Sequence, residues 1–245
     1  MDGIPSWVLL IFTFLIIFPV SNSEEENVKQ ALVQFMAKLS PGNGQNNRNW
    51  GWNMTSDPCK DRWVGVVCDS RLQTVKKIVL DRFNFTGTLD ASSLCMVKSL
   101  TLLSVRSNNI VGILPEEMGN CTSLTHLYIS ENNFSGAIPE ALSLLNNLKR
   151  SDISNNQFSG GISTMSRISG LTSFLAQDNE LTGKIPDFNF SDLQQFNVSN
   201  NNFIGQIPDV QGRFGADSFS GNPGLCGKPL LNACPPSAAP PSAEP

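Results

Sequence analysis

The sequence predicts an α/β solenoid in which about six copies of one short unit stack side by side between two capping segments. Three observations support this fold class: a pattern that recurs every 22 to 25 residues, a glycine at one position of every copy, and a cysteine pair at each end of the repeated region. With 245 residues, 40% hydrophobic and 16% charged, the chain has the composition of a folded protein rather than a disordered or fibrous one.

The first 23 residues differ in kind from the rest of the chain. A run of 12 residues, 7–18, is apolar except for Thr13 and is followed by Pro19 and then by Ser21, Asn22 and Ser23. This order predicts a secretory signal peptide over residues 1–23, cleaved after Ser23. A membrane anchor is the alternative, but a helix of 12 residues reaches only about 18 Å across a hydrocarbon core of about 30 Å.

Residues 24–74 are predicted to cap the first repeat. Four apolar residues recur at helical spacing and predict a helix over residues 24–39: Val28, Leu32, Phe35 and Leu39. The segment WNMTSDPCKDRWVGVVC then places Cys59 and Cys68 on either side of Trp63. In an oxidising compartment this pair predicts a local disulfide, which stabilises the fold by about 2 to 3 kcal/mol.

Residues 75–216 contain the repeats. The copies share a pattern of apolar residues at positions 0, 3, 5 and 10 and glycine at position 12, with Ser151 as the one polar residue at position 3. They begin at Val75, Leu100, Leu124, Leu148, Leu171 and Leu193. This spacing predicts one short strand per repeat whose alternate side chains point inward. One repeat cannot bury its core alone, so neighbouring copies must stack.

Stacking places equivalent side chains in columns. Two apolar columns are predicted: Leu103, Leu127, Phe174 and Phe196, and then Phe134, Phe158 and Phe203. A polar column stands at position 8: Asn108, Asn132, Asn156, Asn179 and Asn201. Buried amides there are expected to bond the backbone groups of the turn that follows each strand, which makes these asparagines structural.

Residues 217–234 are predicted to cap the last repeat, with Cys226 and Cys234 forming a second local disulfide. Residues 235–245 are rich in proline and predict a stiff, extended linker. Cys95 and Cys121 lie five and three residues before the next repeat, and because these offsets differ we expect two buried free thiols rather than a third bridge.

Catalysis and nucleic-acid binding are not expected. The formal net charge is −4 and no dense block of Lys and Arg is present to bind phosphates. One histidine, no Cys-x-x-Cys pair and no phosphate-binding loop predict an absence of enzyme activity, metal site and cofactor. The adjacent Glu116 and Glu117 do not face each other across a substrate, and we interpret them as a solvated turn.

The repeat LTHLYISENNFSGAIP resembles the plant extracellular leucine-rich repeat. The WNMTSDPC and WVGVVC blocks resemble the N-terminal cap of that family, and SFSGNPGLCGKPL resembles the end of receptor-kinase ectodomains. The resemblance covers residues 24–234 and implies a plant-type leucine-rich repeat superhelix. It is greatest for the short receptor-like kinases that include pollen receptor kinases and inactive relatives, in which a membrane helix and a kinase or pseudokinase would follow the linker. This sequence has few repeats and lacks the Arg-x-Arg pair of many peptide-hormone receptors, which favours a co-receptor or small-ligand role.

Binding is predicted on the outward positions 2, 4 and 6 of each strand, which line the concave sheet and have no role in packing. The sole histidine and the sole tyrosine share one of these strands, with arginines expected on both neighbouring strands. The predicted partner-binding residues are Arg106, His126, Tyr128, Arg150 and Asp152. They suit an acidic or carboxylate-bearing segment. The alternative is that these polar residues only keep an exposed sheet soluble.

Six N-glycosylation sequons are present: Asn53, Asn84, Asn120, Asn133, Asn189 and Asn197. A glycan on Asn197 would stand on the concave sheet of the last repeat, so the contact surface is predicted to lie toward the first four repeats.

The leading hypothesis is therefore the extracellular part of a plant receptor-like kinase, acting as receptor or co-receptor for a peptide ligand or for another leucine-rich repeat ectodomain. A secreted inhibitor or decoy in the cell wall is the alternative. Both place the protein in the secretory pathway and then at the outer face of the plasma membrane or in the wall. Contact with a membrane is expected only through a segment beyond Pro245.

Overall fold

A computed structural model describes residues 23–71 and 73–235 of the chain. The predicted signal peptide, apart from Ser23, and the predicted linker, apart from Pro235, lie outside these residues. The described residues form 13 strands, in chain order β1 Val66–Cys68, β2 Val75–Val79, β3 Leu102–Ser104, β4 Val111–Ile113, β5 His126–Tyr128, β6 Asn133–Ala137, β7 Arg150–Asp152, β8 Gln157–Gly160, β9 Ser173–Leu175, β10 Glu180–Gly183, β11 Gln195–Asn197, β12 Asn202–Gln206 and β13 Gly224–Cys226.

The helices are short except for the first. Four are α-helices, α1 Ser23–Leu39, α2 Gly44–Asn49, α3 Ala91–Leu94 and α4 Ser163–Ser166, and three are 3₁₀-helices, η1 Glu116–Asn120, η2 Glu140–Leu144 and η3 Ala216–Ser218. Each of η1, η2 and α4 lies between a strand of one sheet and a strand of the other, whereas α3 lies between β2 and β3. One turn of the solenoid is therefore strand, strand and short helix.

The strands form two sheets. The seven-stranded sheet has the order β1-β2-β3-β5-β7-β9-β11, and the six-stranded sheet has the order β13-β12-β10-β8-β6-β4. Neighbouring strands pair in parallel, except that β1 pairs antiparallel with β2 and begins the stack as a hairpin. The seven-stranded sheet carries one strand of every predicted repeat, which confirms the predicted solenoid and makes this sheet the predicted concave face.

The asparagine column is confirmed. The Asn132 amide donates to the carbonyl oxygens of Val105, Ile129 and Ser130 at 2.9 to 3.2 Å, and its Oδ1 accepts from the Ile110 N–H at 3.1 Å. Each such asparagine therefore joins two turns of the solenoid and leaves few of its polar groups unpaired.

The column also continues past the last predicted repeat. The Asn222 amide donates to the carbonyl oxygens of Val198 and Phe219 at 3.0 and 2.8 Å, and its Oδ1 accepts from the Phe203 N–H at 3.0 Å. Phe219 is fully buried, and β13 pairs in parallel with β12. The C-terminal cap thus begins as a shortened copy of the repeat.

Glycine at position 12 has two physical causes. From the second repeat to the sixth this glycine has a φ between 74° and 93°, a region that other residues avoid. In the first repeat φ is not positive, but a Cβ on Gly87 would meet the carbonyl oxygens of Lys38 and Leu39. The end of α1 instead accepts hydrogen bonds from the N–H groups of Gly87 and Thr88, both at 3.1 Å.

The N-terminal cap confirms the predicted helix and disulfide. Leu32, Phe35 and Leu39 of α1 are fully buried, and Cys59 is bonded to Cys68 with 5.6 Å between their Cα atoms. The ring of Trp52 lies 5.2 Å from that of Trp63. The helix and the disulfide loop therefore form one apolar cap over the first repeat.

The expectation of free thiols at Cys95 and Cys121 was wrong, because the two residues form a disulfide with 4.6 Å between their Cα atoms. Cys95 directly follows α3 and Cys121 directly follows η1. The two helix ends stack on each other, while the segments between helix and strand differ in length by two residues. The two cysteines therefore differ in their distance from the next strand, although they occupy equivalent positions at the ends of their helices. The third bridge, Cys226–Cys234, is formed as predicted.

Candidate functional site

The predicted binding residues lie on two adjacent strands of the seven-stranded sheet, β5 and β7, and in Arg106 just past the end of the neighbouring β3. His126 is in register with Arg150, and Tyr128 is in register with Asp152. His126 and Tyr128 are half-buried, and Arg150 is exposed. The structure thus brings together the side chains that alternation along the strands predicts on one face.

Arg106 covers Tyr128. Its guanidinium carbon stands 3.9 Å from the centre of the Tyr128 ring, and its Nη2 donates to Asp152 Oδ2 at 3.0 Å. Arg106 therefore reaches from the end of β3 across β5 to β7. A guanidinium stacked on an aromatic face and paired with a carboxylate has little freedom left, so it holds the tyrosine ring in one orientation.

Asp152 is the hub of this arrangement. It is only 8% exposed and, besides Arg106, it accepts hydrogen bonds from the hydroxyls of Ser130 at 3.1 Å and Ser154 at 2.7 Å. A buried carboxylate with this many donors is already satisfied. Asp152 and Arg106 were both predicted as partner contacts, and the structure shows them bonded to each other.

His126 lies edge-on to Tyr128, with 5.7 Å between the ring centres, and its Nδ1 is 2.8 Å from the hydroxyl of Thr125. Burial lowers the pKa of His126 below its usual 6.5, and the positive charges of Arg150 and Lys77 lower this pKa further. The imidazole is therefore neutral at neutral pH.

Lys77 belongs with these residues although the sequence prediction did not include it. The register of the parallel strands places Lys77 opposite Leu102, Leu102 opposite His126, and His126 opposite Arg150. We call the three cationic or titratable members, Lys77, His126 and Arg150, the basic row. Position 2 of the repeat is common to all three, so the repeat alignment already contained the signal for Lys77.

A groove of about 460 Å³ runs along the end of the same strands. Its lining residues are Asp81, Arg82, Arg106, Ser107, Ser130, Glu131 and Asp152. Asp81 accepts from the Ser104 hydroxyl at 2.6 Å and from the Arg106 N–H at 2.8 Å, and Glu131 accepts from the Ser107 hydroxyl at 2.7 Å. Much of the hydrogen-bonding capacity of this groove is therefore used internally.

The predicted glycosylation sites differ in exposure. Asn84, Asn120, Asn133 and Asn189 are exposed, whereas Asn53 and Asn197 are half-buried. Asn197 lies on β11, in register with Leu175 of β9, and its Oδ1 accepts from the Ser199 N–H at 3.0 Å. It stands on the same sheet as the basic row, two strands from Arg150, three from His126 and five from Lys77.

Within residues 23–71 and 73–235, no group of three or more His, Cys, Asp and Glu side chains could hold a metal ion. Nor does any helix in that part of the chain have the length and apolarity needed to span a membrane. The arrangement of side chains on the sheet suits binding by surface contact, through a ring, an imidazole and cations.

Three family models match the chain. A leucine rich repeat N-terminal domain matches residues 27–69, and leucine rich repeat models match residues 98–158 and 192–213.

Proteins similar to the chain are plant receptor kinases. It is 34% identical to pollen receptor-like kinase 2 of Arabidopsis thaliana over 220 residues, covering 89% of this chain and 33% of that protein. The crystal structure of a pollen receptor kinase 3 matches with a TM-score of 0.68 and 31% identity, covering 75% of this chain and 90% of that one. A chain of the BIR3–SERK2 complex from Arabidopsis thaliana matches with a TM-score of 0.55 and 27% identity, covering 84% and 97%.

The chain spans about a third of the length of the curated relatives it matches. The matched part is the leucine-rich repeat ectodomain, and the part of the chain that the structure describes contains no catalytic domain. These relatives favour a receptor ectodomain over the secreted inhibitor or decoy that the sequence left as an alternative.

Proposed function

The chain belongs to the leucine-rich repeat family of plant receptor-like kinases, as their extracellular part, and we propose that it acts as a receptor or co-receptor that binds its partner on the seven-stranded sheet. The partner is a peptide ligand or a second leucine-rich repeat ectodomain. The observation that carries this proposal is the cluster on β5 and β7, where exposed or half-buried His126, Tyr128 and Arg150 stand side by side.

Pre-organisation of the tyrosine supports a binding role. Tyr128 is fixed by Arg106 from above and by the edge of His126 from the side. Aromatic side chains held in one rotamer contribute more to affinity because little conformational entropy remains to be lost on binding. In this proposal Tyr128, His126 and Arg150 contact the partner, while Arg106 and Asp152 position Tyr128 and contribute at the edge of the contact.

The proposal also assigns the rest of the chain. Residues 1–23 direct the chain into the secretory pathway, residues 24–74 and 217–234 cap the repeats of residues 75–216, and the linker of residues 235–245 leads toward the membrane. The site of action is the outer face of the plasma membrane. Signal transmission would depend on a membrane helix and a kinase or pseudokinase in a longer product.

The glycosylation pattern limits where the partner can bind. A glycan on Asn197 would shield the end of the sheet formed by β9 and β11 and leave β2 to β7 free. We expect peptide mass mapping of the secreted protein to find Asn197 fully occupied. Complete absence of this glycan would make the last two repeats equally available.

The test uses the full chain secreted from plant cells, with surface plasmon resonance against a panel of plant leucine-rich repeat ectodomains, each measured with and without peptides that it binds. For a partner found in this way, His126→Ala/Tyr128→Ala should weaken binding at least about tenfold, as expected for loss of central aromatic contacts.

The matched control is Gln177→Ala/Gln195→Ala, which should bind normally. Gln177 lies just past the end of β9 and Gln195 lies on β11 of the same sheet. Circular dichroism and thermal unfolding establish that both variants are folded. Unchanged binding by the His126→Ala/Tyr128→Ala variant would remove the sheet of the first four repeats as the binding surface.

A further inference from the structure

Three side chains of the basic row stand at the same position of the repeat on a nearly straight line. Lys77, His126 and Arg150 occupy β2, β5 and β7, and Leu102 fills the place between Lys77 and His126 on β3. Lys77 and Arg150 are exposed, and Leu102 is half-buried. Both cations lower the pKa of His126, so their fields overlap at the imidazole.

The charges of this row are not neutralised by the described residues. Lys29, Lys60, Arg106 and Arg167 each form an ion pair, but no ion pair in the described ranges contains Lys77 or Arg150. This occurs in a chain with a net charge of −4.

The carboxylates of the same face do not compensate for the row. Asp81 is bonded to Ser104 and to the Arg106 backbone, and Asp152 is bonded to Arg106 and two serines. Lys77 and Arg150 stand three strand intervals apart, and each acts on the imidazole that lies between them. Because no side chain of the described residues neutralises Lys77 and Arg150, an anionic ligand would complement their charges.

We propose that Lys77, His126 and Arg150 form one subsite for an extended acidic peptide segment that runs across the strands of the sheet. This inference rests on the proposed function and names the chemistry of the ligand. It adds Lys77 to the contact residues, assigns Leu102 as the apolar contact between the cations, and leaves Arg106 and Asp152 as positioning residues.

The spacing of the row sets the spacing of the acidic residues. Lys77 and Arg150 are separated by three strand intervals, which is about 14 Å at 4.7–4.9 Å per interval. An extended peptide advances about 3.3 Å per residue, so carboxylates four residues apart span about 13 Å. The matching segment has acidic residues at its first and fifth positions and an apolar residue at the third, above Leu102.

An acidic polysaccharide of the cell wall would offer similar carboxylates. The row favours a peptide because Leu102 and the Tyr128 ring provide apolar surface between and beside the cations, which a polymer of sugar acids cannot match as well as a leucine side chain can.

Binding is coupled to a proton. The groups that face His126 are Lys77 from β2, Arg150 from β7 and Tyr128 from its own strand, with the Arg106–Asp152 pair beyond the tyrosine ring. A carboxylate bound to the row offsets the two cations and favours the imidazolium. The complex therefore takes up a proton, and binding strengthens as the pH falls from 7.5 to 5.

The experiment uses the secreted full chain and two capped peptides, Glu-Ser-Leu-Ser-Glu and its neutral counterpart Gln-Ser-Leu-Ser-Gln, in isothermal titration calorimetry at low salt. The acidic peptide should bind about tenfold more tightly than the neutral one. Lys77→Gln/Arg150→Gln should remove this preference. The matched control Lys98→Gln/Lys184→Gln removes two exposed cations outside the row and should retain it. Titration in two buffers of different ionisation enthalpy should show proton uptake, which His126→Gln should abolish.

Three results would overturn the inference: equal binding of the two peptides, an equal loss in the Lys98→Gln/Lys184→Gln variant, or tighter binding of oligogalacturonate that the Lys77→Gln/Arg150→Gln substitutions abolish. The last result would assign the row to a polysaccharide. The proposed function is judged separately with its own partner. If Lys77→Gln/Arg150→Gln left that partner's affinity unchanged while His126→Ala/Tyr128→Ala reduced it, the proposed binding surface would be supported and the acidic subsite would be refuted.

Discussion

Removal of the Cys95–Cys121 disulfide should destabilise the protein more than removal of either cap disulfide. The bridge joins residues with a sequence separation of 26, whereas the cap bridges have separations of 9 and 8. With these loop lengths, the chain-entropy relation gives about 3.5 kcal/mol for the bridge between repeats and about 2.5 kcal/mol for each cap bridge. Both cysteines are also buried, with Cys95 3% and Cys121 5% exposed, so truncating them adds a small packing cost.

The assay is urea unfolding followed by circular dichroism, with Cys95→Ala/Cys121→Ala compared with Cys226→Ala/Cys234→Ala. The first variant should lose about 1 kcal/mol more free energy of unfolding than the second. Alkylation of the wild-type chain in denaturant without reductant should label no cysteine. An equal loss in the two variants would refute the argument from loop length, and labelling of two cysteines would show that the bridge is absent.

Three other predictions concern single contacts. Asn132→Ala removes four hydrogen bonds from a residue 6% exposed and should cost about 2 to 3 kcal/mol in urea unfolding, against about 0.5 kcal/mol or less for the exposed control Asn146→Ala. Arg106→Gln should lower the free energy of unfolding by about 1 to 2 kcal/mol, because it leaves the Asp152 carboxylate without its cation. A double-mutant cycle with Asp152→Asn should give a coupling energy of about 1 kcal/mol, whereas additive losses would contradict the contact. The folded-state pKa of His126 lies below 6.5, so protonation favours the unfolded chain and the contribution of His126 to stability should be complete above pH 6.5 and decline below it. The substitution His126→Gln should therefore reduce the loss of melting temperature between pH 7.5 and pH 5.

Periodicity in the sequence predicted most of the fold because a repeat protein uses the same local physics in each copy. The position of Asn132 was sufficient to predict a buried amide that bonds two adjacent turns. The continuation of this column at Asn222 was missed because the last copy lacks the leucines of a full repeat and was grouped with the C-terminal cap. The Cys95–Cys121 bridge was missed because the segment from the helix to the next strand is two residues longer after Cys95 than after Cys121, so the offsets from the strands differ although the helix ends stack.

At the candidate site, the sequence predicts the face of the sheet on which a side chain lies but not the contacts that it makes there. Alternation along a strand predicts which face a side chain occupies, and it placed His126, Tyr128 and Arg150 correctly on one sheet. It does not predict how far a long side chain reaches. Arg106 spans two strands to bond Asp152, a contact that depends on the three-dimensional spacing of β3, β5 and β7. Lys77 could have been found from the repeat alignment, since it occupies the same position as His126 and Arg150.

The constraints on the backbone and the proposed contacts lie in the same part of the solenoid. The Cys95–Cys121 bridge fixes the first repeat against the second at their helices, and Arg106 bonds the second repeat to the fourth across the sheet. Together the two contacts span the four repeats that carry Lys77, Leu102, His126 and Arg150. A sheet held from both sides loses little freedom when a ligand binds, so weak contacts from a few exposed side chains can add up to a useful affinity. Loss of the disulfide should therefore weaken ligand binding without removing any atom that touches the ligand. The Cys95→Ala/Cys121→Ala variant, measured at a temperature where it remains folded, separates this effect from loss of the contacts themselves.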